Sequence, residues 1–137
     1  MSLSELETLR RLRRHRADRA ERALREAKRK QQALLAHIDH AQAALEQTRQ
    51  QQVLQSAQLL SEHQGQVVTL QVLKSWTAKE HTLSADTRRE EDSLQALHEQ
   101  TQAQVIEVHH AQKQASQCLR QVEKLQELSA LLAQEVS

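Results

Sequence analysis

"SEHQGQVVT", residues 61–69, holds the only glycine of a 137-residue chain that has no proline, and it stands near the middle of the sequence. Read as a turn, it divides the chain into two long helices that fold back on each other. Read as helix, it leaves one unbroken rod, because a glycine inside a helix costs only about 1 kcal/mol. The flanking pattern favours the turn, since a heptad seam runs up to it on each side and the register breaks across it.

Upstream, steps of three and four from Ala17 give Ala17, Ala20, Leu24, Ala27, Gln31, Leu34, Ile38, Ala41, Leu45, Thr48, Gln52, Gln55 and Leu59, nine of thirteen apolar. Downstream, the same steps from Leu73 pass through Trp76, Glu80, Leu83, Thr87, Glu90, Leu94 and Leu97, and continue to Val136, with thirteen of nineteen apolar. Such spacing places each set on one stripe of a helix. The composition agrees: there is no Tyr or Phe and one Trp, while Ala, Leu, Gln, Glu and Arg, all good helix formers, dominate. The expected fold is all-α: a single coiled-coil domain over residues 1–137, with a first helix over about 3–61, a turn over about 62–69 and a second helix over about 70–136. Thr69 is placed to cap the second helix. Helices of about 60 residues span about 90 Å, against about 200 Å for an unbroken helix of the whole chain.

With the apex in the middle of the turn, facing residues are expected to sum to about 132, which sets Ala17 near Ala115, Ile38 near Leu94 and Trp76 opposite Gln55. The seam nearest the turn is then mostly polar and expected to pack weakly. Val53, Leu54, Leu60, Val67, Val68, Leu70 and Val72 lie near the turn but off the seam, and clustered apolar groups of this kind mark partner sites.

Charge is distributed unevenly. Residues 1–30 carry 11 basic against 5 acidic groups and residues 31–137 carry 8 against 13, although the net charge is only +1. "RRLRRHRADRAERALREAKRK", residues 10–30, contains eleven of the nineteen basic residues. Asp18, Glu21 and Glu26 stand four residues before Arg22, Arg25 and Lys30, the favourable order for helix pairs, which leaves eight cations to meet something outside the chain. An acidic protein surface is the expected counterpart. Nucleic acid is not, because no aromatic residue interleaves with the arginines and they are spread around the helix. Arg10 and Arg13 occupy seam positions, so the seam is expected to fade toward the N-terminus, where Leu3, Leu6, Leu9 and Leu12 recur every three residues.

No catalytic constellation is present, and one glycine cannot build a phosphate-binding loop. His37, Asp39 and His40 offer two imidazoles on one helix face, short of the four ligands of a structural zinc site. Cys118 reads as a small seam hydrophobe. No metal, no cofactor and no enzymatic activity are expected. The chain shows no apolar run of the roughly 20 residues that a membrane span needs, and no secretory signal, so a cytoplasmic location is expected.

Two stretches, "LRRLRRHRADRAERALREA" near the start and "LKSWTAKEHTLSADTRREE" after the turn, make the chain resemble the FliJ/YscO family of flagellar and type III secretion systems. In the YscO branch a comparable Arg/Ala-rich opening precedes a Leu-x-x-Trp pair, here Leu73 and Trp76. The resemblance implies a non-enzymatic central stalk of the hexameric export ATPase, peripheral to the inner-membrane export apparatus. It implies that Arg10, Arg11, Arg13, Arg14, Arg16 and Arg19 enter the ATPase pore. It also implies that Val67, Val68, Leu70, Leu73, Trp76 and Leu83 face the export gate protein or secretion chaperones. The chain departs from the flagellar branch in lacking Tyr and Phe. The isolated chain is expected to be a monomer; the competing readings are a scaffold dimer of continuous helices and a basic-helix nucleic-acid binder.

Overall fold

The computed structural model describes residues 2–136, and they form a helical hairpin of two α-helices, α1 (Leu3–His63) and α2 (Leu70–Val136). Each boundary has a local chemical cause. At the start, Ser2 and Glu5 form a reciprocal box: the Glu5 amide donates to Ser2 Oγ and the Ser2 amide to Glu5 Oε2, both at 3.2 Å. Two of the orphan donors of the first turn are thereby satisfied. The Ser-x-x-Glu spacing that signals this box is plain in the sequence, but the expectations above passed over it.

α1 runs two residues past its expected end and stops where Gly65 takes φ +78°, the left-handed region that favours glycine. The Gln66 amide then donates to the His63 carbonyl at 3.3 Å. A Cβ at Gly65 would meet nothing within 4 Å, so the constraint is the backbone angle itself and not crowding. Thr69 caps α2 as expected: its Oγ1 accepts from the Val72 amide at 3.3 Å and its carbonyl from the Leu73 amide at 3.1 Å. Thr69→Ala and Gly65→Ala are each expected to cost about 1 kcal/mol, measured as a fall in thermal midpoint by circular dichroism.

Contacts divide the hairpin into two compact units, each with a piece of both helices: residues 1–33 with 101–137, and residues 34–100. In the first, Leu6, Ala17, Val122 and Leu125 are buried. The burial of Leu6 corrects the fading seam. Leu3, Leu6, Arg10, Arg13 and Ala17 continue the same three-four spacing, and Arg10 and Arg13 sit half-buried inside it. Their long stems cover apolar surface while the charged heads reach its edge. Further along, small residues line the seam on both helices, and Gln104 Nε2 donates to the Ala27 carbonyl at 2.9 Å.

In the second unit Ile38 and Leu45 are buried, and from Thr48 toward the turn no residue is. The polar seam positions there bond across the helix pair. The Thr48 hydroxyl donates to Glu90 Oε1 at 2.9 Å and the Thr87 hydroxyl to Gln52 Oε1 at 2.8 Å, while Arg49 pairs with Glu91 at 3.1 Å on the exposed flank. Glu90 Oε2 is shielded from solvent without a hydrogen-bond partner. A shielded, partnerless carboxylate oxygen opposes folding. Thr48→Val combined with Glu90→Leu is therefore expected to hold stability or raise it by about 1 kcal/mol, read by thermal denaturation.

These contacts also correct the register of this unit. Thr48 with Glu90, Gln52 with Thr87 and Arg49 with Glu91 sum to 138–140, not 132, whereas in the first unit the long reaches of Arg13 to the Gln121 carbonyl and of Gln104 to the Ala27 carbonyl sum to 134 and 131. The difference in the second unit is about one heptad. His63, not Gln55, stands against Trp76. The expectation took a symmetric apex, whereas the six connecting residues after His63 are followed by nearly two turns of α2 before Trp76 comes level with the end of α1. Among the described residues, no helix is long and apolar enough to cross a membrane.

Candidate partner-binding surfaces

At the terminal end, the six arginines expected to act together divide by helix face. Arg13 lies in the seam and donates from Nη1 to the Gln121 carbonyl across the helix pair at 3.0 Å. Arg10, half-buried beside it, stands 4.0 Å from Glu7, and Arg11 stands 3.9 Å from the same carboxylate. Arg14, Arg16 and Arg19 are exposed, and none has an ion-pair or hydrogen-bond partner among the described residues. Arg22, Arg25, Lys28 and Lys30 continue this unpaired set. The expected pairs four apart, Asp18 with Arg22, Glu21 with Arg25 and Glu26 with Lys30, do not form; Glu26 instead pairs with Arg29, three residues on. Residues three and four apart are both neighbours on a helix, and the nearer partner prevails here.

The neighbouring stretch of α2 does not cancel this charge. Residues 101–137 bring 3 basic and 4 acidic groups, so with the 11 basic and 5 acidic groups of residues 1–33 the unit carries 14 against 9, a net +5. Its two flanks differ in character. Arg14 lines a groove together with Asp18, Glu21 and Glu123, a mixed surface. Arg16 and Arg19 lie on the other flank, where Gln121 and Lys124 add no negative charge.

In the turn unit, the six residues expected to face a gate or chaperone also divide. Val67, Leu70 and Leu73 are presented to solvent, Val67 at 101% of its reference exposure. Trp76 is half-buried and engaged within the hairpin: its Nε1 donates to Glu80 Oε1 at 3.0 Å, and its ring lies 5.7 Å from that of His63. Buried tryptophan needs a partner for its indole N–H, and Glu80 supplies it from the next turn. Val68 and Leu83 are likewise half-buried. Val53, Leu54 and Leu60 add exposed apolar surface in this unit. The free apolar set is therefore Val53, Leu54, Leu60, Val67, Leu70 and Leu73.

The terminal unit adds one feature that the sequence expectations did not include, exposed leucines on α2 beside Leu12. Leu12, Leu128 and Leu131 are 45%, 48% and 59% exposed, close to the unpaired arginines. Their signal was a second three-four spacing beside the seam, hidden by the more obvious one. His37, Asp39 and His40 are exposed, Cys118 is a half-buried free thiol, and among the described residues no group of three or more His, Cys, Asp or Glu side chains is placed to hold a metal ion. No family model matches the chain, and neither does any curated protein or solved structure.

Proposed function

We propose that this chain is a non-enzymatic two-helix stalk that docks by its basic end against an acidic protein surface. The observation that supports it is the set of exposed cations between Arg14 and Lys30, all but Arg29 unpaired among the described residues, on a unit of net charge +5. A charged rod end of this kind is drawn to an acidic cleft by long-range attraction and held there by salt-sensitive pairs. The resemblance to the FliJ/YscO family names the partner: the hexameric export ATPase of a type III secretion apparatus, at the cytoplasmic face of the inner membrane. Arg14, Arg16 and Arg19 line the pore in this reading, while Arg13 fastens the hairpin through the Gln121 carbonyl, and Arg10 and Arg11 contribute from beside Glu7.

Contacting the subunits of a ring unequally, such a rod favours assembly of the hexamer and links hydrolysis states around it. In the turn unit, Val67, Leu70 and Leu73 form the surface offered to an export gate protein or secretion chaperones, with Trp76 and Leu83 shaping the hairpin beneath them. The deciding experiment is the hydrolysis rate of a type III export ATPase with and without this chain at two salt concentrations. Stimulation that fades with salt supports docking through the basic end. An unchanged rate at both salts, with the chain helical by circular dichroism, overturns it.

A further inference from the structure

One flank of the terminal unit is ordered by charge in a way that the docking reading does not use. Along α1, Glu5, Leu9, Leu12, Arg16 and Arg19 follow each other at spacings of four, three, four and three, and so form a stripe beside the seam. Along α2, Gln121, Lys124, Leu128, Leu131 and Glu135 do the same at three, four, three and four. The two stripes share a flank: Ala23 and Lys30, which continue the first, line one surface groove with Gln114 and Glu107, which continue the second. From the chain ends inward, this flank reads acidic (Glu5, Glu135), apolar (Leu9, Leu12, Leu128, Leu131) and basic (Arg16, Arg19, Lys124). Leu9 is half-buried and the other three leucines are exposed. None of the five charged groups has a partner on another helix among the described residues, Glu5 being bonded only to Ser2.

We infer that this flank is a self-complementary surface on which a second copy of this chain docks antiparallel, joining the two terminal units in a four-helix bundle. An inverted copy sets Leu9 against the second copy's Leu12 and Leu128 against its Leu131. The same rotation sets Glu5 against the second copy's Arg16 and Lys124 against its Glu135. Arg10 lines one groove with Ser129 and Leu132, and Arg14 another with Gln126, which sets Leu9 and Leu12 level with Leu128 and Leu131, so that one two-fold axis makes both sets of matches and repeats every pairing. A parallel copy would stack like charges on like, which costs binding energy. Four leucines from each copy leave water together, and depositing large apolar side chains against their equivalents is what drives such an association.

The pairing covers Arg16 and Arg19, so under the docking reading the dimer is a form in which the basic end is masked. Self-association itself needs nothing from that reading, and its test involves no ATPase. Sedimentation equilibrium of the full chain from about 1 µM to about 1 mM is expected to show a mass rising from one chain toward two. Lys124→Glu is expected to weaken the dimer about tenfold, since the reversal acts twice in a two-fold contact, and Lys124→Glu with Glu135→Lys to restore it. Leu128→Gln with Leu131→Gln is expected to abolish association while leaving helix content unchanged, as both side chains are exposed in the single hairpin. A chain that remains monomeric throughout overturns the proposal. A dimer indifferent to both the charge and the leucine variants overturns it equally, by placing the contact elsewhere.

Discussion

Under the proposed docking to an export ATPase, reversing Arg14, Arg16 and Arg19 together to glutamate is expected to cut stimulation of that ATPase at least about tenfold while leaving the thermal midpoint of the chain nearly unchanged. The separation of the two effects follows from the placement of these side chains. All three are exposed and none bonds to α2 among the described residues, so the hairpin does not depend on them. Their reversal shifts the charge of the terminal unit by six, from +5 to −1, and turns attraction toward an acidic cleft into repulsion. Arg13 behaves in the opposite way. Arg13→Glu breaks the bond to the Gln121 carbonyl and places an anion beside it, which is expected to cost about 1 kcal/mol or more of stability. A triple variant that stimulates as the parent does would remove the basic end from the docking surface.

Leu125→Ala is expected to be the most damaging single truncation of an apolar side chain, costing about 3 kcal/mol in chemical denaturation. Leu125 is 2% exposed, the lowest value among the buried apolar residues, and a two-helix seam has no second layer that can collapse into the gap. Leu119, six residues earlier on the same helix and 50% exposed, sets the contrast: Leu119→Ala is expected to cost under about 0.5 kcal/mol. Equal losses at the two positions would mean that the seam runs along a different face of α2.

The helices, the seam and the turn were legible because their determinants are local. Three-four spacing assigns a face to each side chain whatever the partner helix does, and twelve of the thirteen expected positions of the first seam are buried or half-buried, Gln55 being the exception. Gly65 and Thr69 acted where their chemistry indicated: a positive φ needs a residue without a Cβ, and the opening turn of a helix needs an oxygen acceptor. The polar character of the seam near the turn was likewise open to reading, though not which hydroxyl meets which carboxylate.

What the tertiary structure alone decided was the register and everything that depends on it. Sliding one helix past the other by seven residues returns every seam residue to the seam, so the heptad pattern is blind to a slip of that size. The geometry of residues 64–69 breaks the tie, placing His63 against Trp76 and Thr48 against Glu90. The division of the arginines is decided at the same level. Arg13 and Arg14 are adjacent in a run of like charge, yet about 100° of helical rotation turns one toward the Gln121 carbonyl and the other toward solvent. Composition counts both as unpaired cations; only the facing helix distinguishes the residue that fastens the hairpin from the one that is free to bind.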